Sequence, residues 1–173
     1  MPATDLTEVT DGDSGDTQIR VREACATDLP RLLDIENRVF PGDRLNRRAF
    51  RYLLCRANAI NLVACVDARV AGYVTVLLRK NSRGARVYSL AVDPLWQGRR
   101  IGTRLLAAAE SQARSAGCSF IRLEVRADND RAIRQYVRAG YRQVGMKPGY
   151  YEDGEAALHF HKELAAAQGA GTD

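Results

Sequence analysis

The stretch SLAVDPLWQGRRIGTRLLAAAE, residues 89–110, decides the fold. It begins as an apolar strand, turns at Asp93-Pro94, passes through a Gln/Gly/Arg loop and continues with the spacing of an amphipathic helix. Glycines let a ligand approach the backbone, and the first turn of a helix presents unpaired N–H groups and the positive end of its dipole. The loop is therefore typical of an anion site, reinforced by Arg99 and Arg100. Similar strand-to-helix turns also occur without a ligand.

The segments around this stretch predict a regular series of strands and helices. Apolar alternation indicates strands and three-to-four-residue apolar spacing indicates helices. Strands are expected over residues 19–24, 61–67, 69–80, 86–93, 119–126, 141–146 and 156–163. Helices are expected over residues 29–39, with Thr27 as N-cap, and over 45–56, 102–116 and 130–139. The predicted fold class is α/β, a mixed, mostly antiparallel sheet with one parallel β-α-β crossover and helices on both faces.

Length and composition indicate one globular domain. The chain has 173 residues, of which 46% are hydrophobic and 27% charged, a composition that excludes a disordered or membrane-spanning protein. Its N-terminus has neither a basic segment nor an apolar segment of a secretory signal. We therefore expect a cytoplasmic protein with no membrane partner.

Charge is distributed unevenly along the chain. The formal net charge is +5, but the first 18 residues contain five acids and no base, so the remainder has 26 basic and 16 acidic residues, a net +10. We expect a flexible acidic segment over residues 1–18, a catalytic domain over 19–164 and a flexible tail over 165–173. A positive domain favours nucleic acid, the ribosome or a phosphate-rich cofactor, although solvated surface charge explains it equally well.

Cysteine and histidine spacing predicts no metal site. The four cysteines have no CxxC spacing and are expected to be reduced core residues. His159 and His161 share one face of the last strand, but no third ligand stands at matching spacing.

The run QGRRIG resembles the acetyl-CoA pyrophosphate loop of the GNAT superfamily, Q/R-x-x-G-x-G/A. Gln97 and Gly102 match that pattern and Gly98 is a frequent variant, whereas Arg100 stands where the family commonly has glycine. The stretch LEVRADNDRAIRQYVRAGYRQVGMKPGYYEDGEAAL, residues 123–158, is similar to the bacterial ribosomal-protein N-terminal alanine acetyltransferases. The resemblance extends over residues 19–163 and so covers essentially the whole domain.

The resemblance implies an acyl-CoA-dependent N-acetyltransferase. It would transfer an acetyl group from acetyl-CoA to a primary amine by direct attack, with a protein N-terminal α-amine preferred over lysine or a small amine. A ribosomal protein is one implied acceptor, and a homodimer is compatible with the sequence. The resemblance also implies the residues that bind acetyl-CoA. They are Leu90, Ala91, Val92, Gln97, Gly98, Arg99, Arg100, Ile101, Gly102, Thr103 and Asn129.

By the same resemblance Glu124 is the catalytic base and Tyr136 the catalytic acid. An ammonium must lose a proton before it attacks, and the departing thiolate must gain one. Alternation along residues 119–126 turns Glu124 away from the apolar face, and helical spacing aligns Asn129 with Tyr136. Alternatively, Glu124 forms a surface ion pair with neighbouring arginines, Tyr136 packs in the core and Asn129 only caps its helix.

We expect acetyl-CoA to enter between the strand ending at Asp93 and the strand at residues 119–126. The acceptor would enter from the opposite side, over a floor formed by the helical hairpin at residues 39–56 and the YYEDG segment at residues 150–154. The alternative function is a non-catalytic RNA- or ribosome-binding module with a degenerate coenzyme A pocket.

Overall fold

A computed structural model describes residues 18–55 and 57–165 of the chain. Their strands are β1 Ile19–Glu23, β2 Ala59–Val66, β3 Arg69–Leu78, β4 Gly84–Val92, β5 Phe120–Arg126, β6 Arg142–Lys147 and β7 Ala157–Glu163. Their α-helices are α1 Leu29–Val39, α2 Arg47–Cys55, α3 Ile101–Ser115 and α4 Asp130–Arg138. The expected acidic segment and tail lie outside the described residues, except for the residues next to the domain. No helix in the described part of the chain is long and apolar enough to cross a membrane.

The seven strands form one sheet in the order β1-β2-β3-β4-β5-β7-β6. Neighbouring strands run antiparallel, apart from the β4–β5 pair, which is parallel. A parallel pair needs a crossover connection, and α3 supplies it between β4 and β5. The predicted mixed sheet with a single β-α-β unit is therefore confirmed.

Helices pack on both faces of this sheet, as predicted. The larger core contains α3 residues such as Leu105 and Leu106, together with Tyr136 of α4 and alternate residues of the strands. The smaller core lies on the other face, where Leu32 and Ile35 of α1 and Phe50 of α2 pack against β2, β3 and β4. No residue of β5, β6 or β7 belongs to the smaller core within the described chain.

Two local expectations need correction. Thr27 is not the N-cap of α1, because residues 26–28 form a short 3-10 helix and Asp28 takes that position. The Asp28 carboxylate accepts hydrogen bonds from the Cys25 amide and the Arg22 guanidinium, which fixes this turn. The cysteines are all free, but Cys25 and Cys55 are exposed, and only the other two belong to the core.

Candidate functional site

The centre of the candidate site is the place where β4 and β5 part. The two strands pair only at Gly84 with Phe120, Ala85 with Ile121 and Arg86 with Arg122. Beyond these pairs β4 continues to Val92 and stays paired with β3 on its other edge. A break in the β3–β4 register at residues 87–89 bends the strand there. The β5-facing backbone edge of residues 87–92 is thus unpaired in the described sheet, and it includes the predicted Leu90, Ala91 and Val92.

The turn between β4 and α3 follows this open edge. Gly98 has φ +82° and Arg100 has φ +56°, both in the left-handed region that favours glycine. This geometry explains why the family pattern has glycine where this chain has Arg100. The Arg100 side chain is exposed and does not fill the turn. Helix α3 then starts at Ile101 without a side-chain cap, so its first-turn amides remain available to an anion.

A buried carboxylate holds the turn in place. Asp93 is fully buried, and its Oδ1 accepts a hydrogen bond of 2.9 Å from the Leu95 amide. Its Oδ2 accepts one from Arg31 of α1 and lies 3.6 Å from Arg38. Burial alone would raise the pKa of this carboxyl, but the Leu95 amide and the arginines together lower the pKa below its usual value. Asp93 therefore anchors the loop to α1 as a charged cap.

Two of the predicted cofactor-binding residues, Gln97 in the turn and Gly102 in α3, lie against α4. Arg131 donates a hydrogen bond to Oε1 of Gln97. A Cβ at Gly102 would come within 2.7 Å of Nε2 of Gln135, so glycine permits this close approach. Asn129 is the N-cap of α4, and its Oδ1 accepts a 3.1 Å hydrogen bond from the Ala132 amide. The capping role weighed for Asn129 is therefore present, while Arg99 and Thr103 are exposed near the start of α3.

Glu124 projects from β5 into a cavity of about 510 Å³. Its side chain is 18% exposed, and its Oε2 accepts a 2.9 Å hydrogen bond from Nε of Arg86 on β4. The ion pair considered from the sequence thus exists, but its partner lies on the neighbouring strand rather than beside Glu124 in the chain. Sequence reasoning missed Arg86. Parallel pairing of 86–93 with 119–126 could have indicated it, because both side chains then face the same side.

Tyr136 lies on the other face of β5 from Glu124. It is buried in the larger core, where its ring packs 5.8 Å from that of Tyr141 and 6.4 Å from that of Phe160. Burial, with a smaller contribution from Tyr151, raises the pKa of Tyr136 to about 12. The phenol is therefore protonated at neutral pH. The two predicted catalytic side chains are therefore on different faces of the sheet.

The remaining sequence candidates surround the same cavity. His159 and His161 lie opposite Glu124 and Arg122 across the β5–β7 pair. His161 stacks on the Phe120 ring at 5.0 Å and contacts Glu163. No group of three potential metal ligands occurs among the residues that the structure describes.

The two segments expected to form the acceptor floor do not both line the cavity. Tyr150 of the YYEDG segment lines the cavity, whereas none of the described residues 39–55 does. A charge in the loop after α1 nevertheless acts on this segment. Burial mainly raises the pKa of Tyr151, and the nearby carboxylate of Asp43 adds to that effect.

Known proteins provide an independent comparison. Residues 29–141 match the model of the Acetyltransferase (GNAT) family. An uncharacterized N-acetyltransferase of Methanocaldococcus jannaschii is 35% identical over 86% of this chain and 94% of its own. The N-alpha-acetyltransferase RimI of Mycobacterium tuberculosis is 33% identical over 72% of this chain and 78% of its own.

The fold has close counterparts among solved structures. The ribosomal-protein-S18-alanine N-acetyltransferase of Escherichia coli superimposes with a TM-score of 0.78, covering 90% of this chain and all of that one at 23% identity. This likeness agrees with the seven-stranded sheet and its parallel pair, and the sequence matches extend through the β4–α3 turn and α4. We conclude that the chain belongs to the GNAT acetyltransferase family.

Proposed function

We propose that the protein transfers the acetyl group of acetyl-CoA to the N-terminal α-amine of a protein in the cytoplasm. The observation that carries this proposal is the open edge of β4 beside Glu124, with the uncapped start of α3 at its end. Backbone amides there suit a thioester carbonyl and a pyrophosphate. Relatives named as N-acetyltransferases and an N-alpha-acetyltransferase support the reaction and the choice of acceptor.

We assign each candidate group a role in direct acetyl transfer. In our proposal, amides at residues 101–103 bind the pyrophosphate, and the β4 edge at residues 90–92 binds the pantetheine arm and polarises the carbonyl. Glu124 removes the ammonium proton, directly or through water. The amine nitrogen then attacks the carbonyl carbon, the carbon–sulfur bond breaks, and Tyr136 gives its proton to the departing thiolate. The second proton that the nitrogen loses on becoming an amide restores the Tyr136 phenol through solvent. The raised pKa of Tyr136 keeps the phenol protonated at neutral pH, so its proton is present when the thiolate leaves.

A coenzyme A release assay tests the proposal. The wild-type protein is mixed with acetyl-CoA and with peptides bearing a free N-terminus, peptides with a blocked N-terminus and an internal lysine, or a polyamine. We expect free thiol chiefly with the first group. Glu124→Gln should lower kcat about 100-fold or more, since it removes the base. Nucleic-acid binding that weakens steeply with salt, with no thiol release from any amine, would instead favour an RNA-binding module.

A further inference from the structure

The cavity beside Glu124 lies on a part of the sheet that no described helix covers. Its walls come from β4, β5, β6, β7 and the segment before β7. On this face α1 and α2 pack only over β2, β3 and β4. A segment of acceptor can therefore lie along β5 without displacing any packed element.

Cations dominate the charged side chains around this cavity. Arg86, Arg122 and Lys147 line it, and Glu124 is the one carboxylate in its wall. Arg86 forms an ion pair with Glu124. Arg122 and Lys147 form no ion pair with any described residue. Nε2 of His159, also in the wall, is buried without a hydrogen-bond partner among the residues of the structure. Lys147 does lie 5.3 Å from the centre of the Tyr150 ring, a cation–π contact that leaves its charge without a carboxylate partner among the described residues. The cavity thus offers two cations without such a partner, and a polar atom without a hydrogen bond, in the same wall as the proposed base.

The spacing of these groups suits an extended peptide. Arg122 and Glu124 are two residues apart on the same face of β5, which corresponds to about 7 Å along the strand. An acceptor whose α-amine lies at Glu124, opposite His159, therefore brings the side chains of its next residues to the level of Arg122 and His161.

We infer that this site selects acceptors with carboxylate side chains within the first few residues after the α-amine. The inference rests on the proposed function, because it takes the α-amine to lie at Glu124. Arg122 and Lys147 bind the carboxylates. This charge complementarity raises the association rate of an acidic acceptor and sets the position of its chain along the site. Basic N-termini meet like charge there and bind more weakly.

The observations favour a peptide over RNA as the occupant of the cavity. RNA-binding surfaces combine an extended basic stripe with stacking platforms, and the backbone phosphates supply most of the affinity. Here the two unpaired cations flank a carboxylate inside a cavity, which would repel a phosphate backbone placed on Glu124. The same arrangement accommodates an ammonium at Glu124 and carboxylates on the residues that follow it.

Three matched peptides test the inference. Each begins with alanine and carries glutamate, glutamine or lysine at its second and third positions. At low ionic strength we expect kcat/KM to be about 10-fold higher for the glutamate peptide than for the glutamine peptide, mainly through KM, and lowest for the lysine peptide. Added salt should reduce the difference. Arg122→Glu should invert the preference, while Arg138→Glu, an exposed site on α4, should leave it unchanged.

The outcomes separate this inference from the proposed function. Thiol release at equal kcat/KM from all three peptides would overturn the acidic preference and leave acetyl transfer intact. If none is acetylated, fluorescence anisotropy of labelled peptides decides the inference by itself: tighter binding of the glutamate peptide, lost in Arg122→Glu, supports it. Equal binding of the three peptides would overturn the inference. So would stronger binding of an oligonucleotide than of the peptides, or a dimer of this chain that Arg122→Glu dissociates.

Discussion

The two edges of β4 differ in how far they are hydrogen-bonded to a neighbouring strand. Towards β3 the strand is paired from Ala85 to Val92, and towards β5 it is paired only as far as Arg86. The β3 side is also tied to α1, because the Tyr73 hydroxyl donates to Glu36 and contacts Ser89 of β4 at 2.9 Å. One strand can thus be held rigidly along one edge while its other edge stays open to a ligand.

The difference between the two edges predicts that substitutions have two kinds of effect. Changes at the open edge should reduce turnover and leave folding intact, whereas changes on the β3 side should reduce stability and leave acetyl-CoA binding intact. A variant that reduces both properties together would break the distinction.

Tyr136→Phe should lower turnover and leave the fold intact. The ring contacts with Tyr141 and Phe160 remain, so we expect the free energy of unfolding to change little. Loss of the proton donor should lower kcat about 100-fold, equivalent to about 2.7 kcal/mol in the activation barrier. Thiol release gives kcat, and the rise in melting temperature with acetyl-CoA checks that binding persists. An unchanged kcat would mean that Tyr136 only packs in the core and does not donate the proton.

Glu36→Ala should give the largest effect on the closed side. Glu36 is buried and accepts a 2.7 Å hydrogen bond from the Leu45 amide as well as the bond from Tyr73. Losing this acceptor leaves a buried donor unpaired, and we expect the free energy of unfolding to fall by about 2 kcal/mol in urea titrations. Glu36→Gln keeps an acceptor and is the matched control. Equal stability of the two variants would contradict the assignment.

The same carboxyl predicts how stability depends on pH. Burial, the main cause, raises the pKa of Glu36 above its ordinary value of 4.5, although bonds from Leu45 and Tyr73 oppose the shift. A raised pKa in the folded state means that the protonated form is favoured by folding. Its stabilising contribution is therefore complete below the unfolded value and is lost as pH rises through the folded one. Unfolding measured across that window should show this decline in the wild type and not in Glu36→Gln.

A pair of turn variants should give the smallest effects. Gly98→Ala places a side chain at φ +82°, where nothing lies within 4 Å of the new Cβ, so its cost of about 1 kcal/mol is purely conformational. Arg100→Gly relieves the same strain at φ +56° and should raise the free energy of unfolding by up to about 1 kcal/mol. Urea titrations of both variants would show the opposite signs. The same sign for both would mean that strain does not govern this turn.

Local sequence patterns predicted most of the fold. Alternating strands and the apolar spacing of α3 gave the element order, and the strand–helix–strand series gave the parallel pair. The errors were local, as at Thr27, where Asp28 with its Arg22 partner takes the capping position. Exposure of two of the four cysteines was also missed, because spacing alone does not report burial.

The candidate site was harder to predict than the fold because it depends on contacts between residues that are far apart in the chain. The turn at residues 98–103 is visible as a motif, and its left-handed backbone explains why the family pattern has glycine where this chain has Arg100. The parting of β4 from β5 is a matter of register, which no single segment encodes. The partners Arg86 with Glu124 and Arg31 with Asp93 are far apart in the chain, and only the folded sheet and its helices bring them together.

Amide hydrogen exchange with and without acetyl-CoA tests the central claim most directly. If the open edge of β4 and the start of α3 bind this ligand, amides at residues 87–92 and 101–103 should gain protection, while those of β2, which is paired on both edges, should stay unchanged. Protection confined to other parts of the chain, or no protection at saturating acetyl-CoA, would contradict the account.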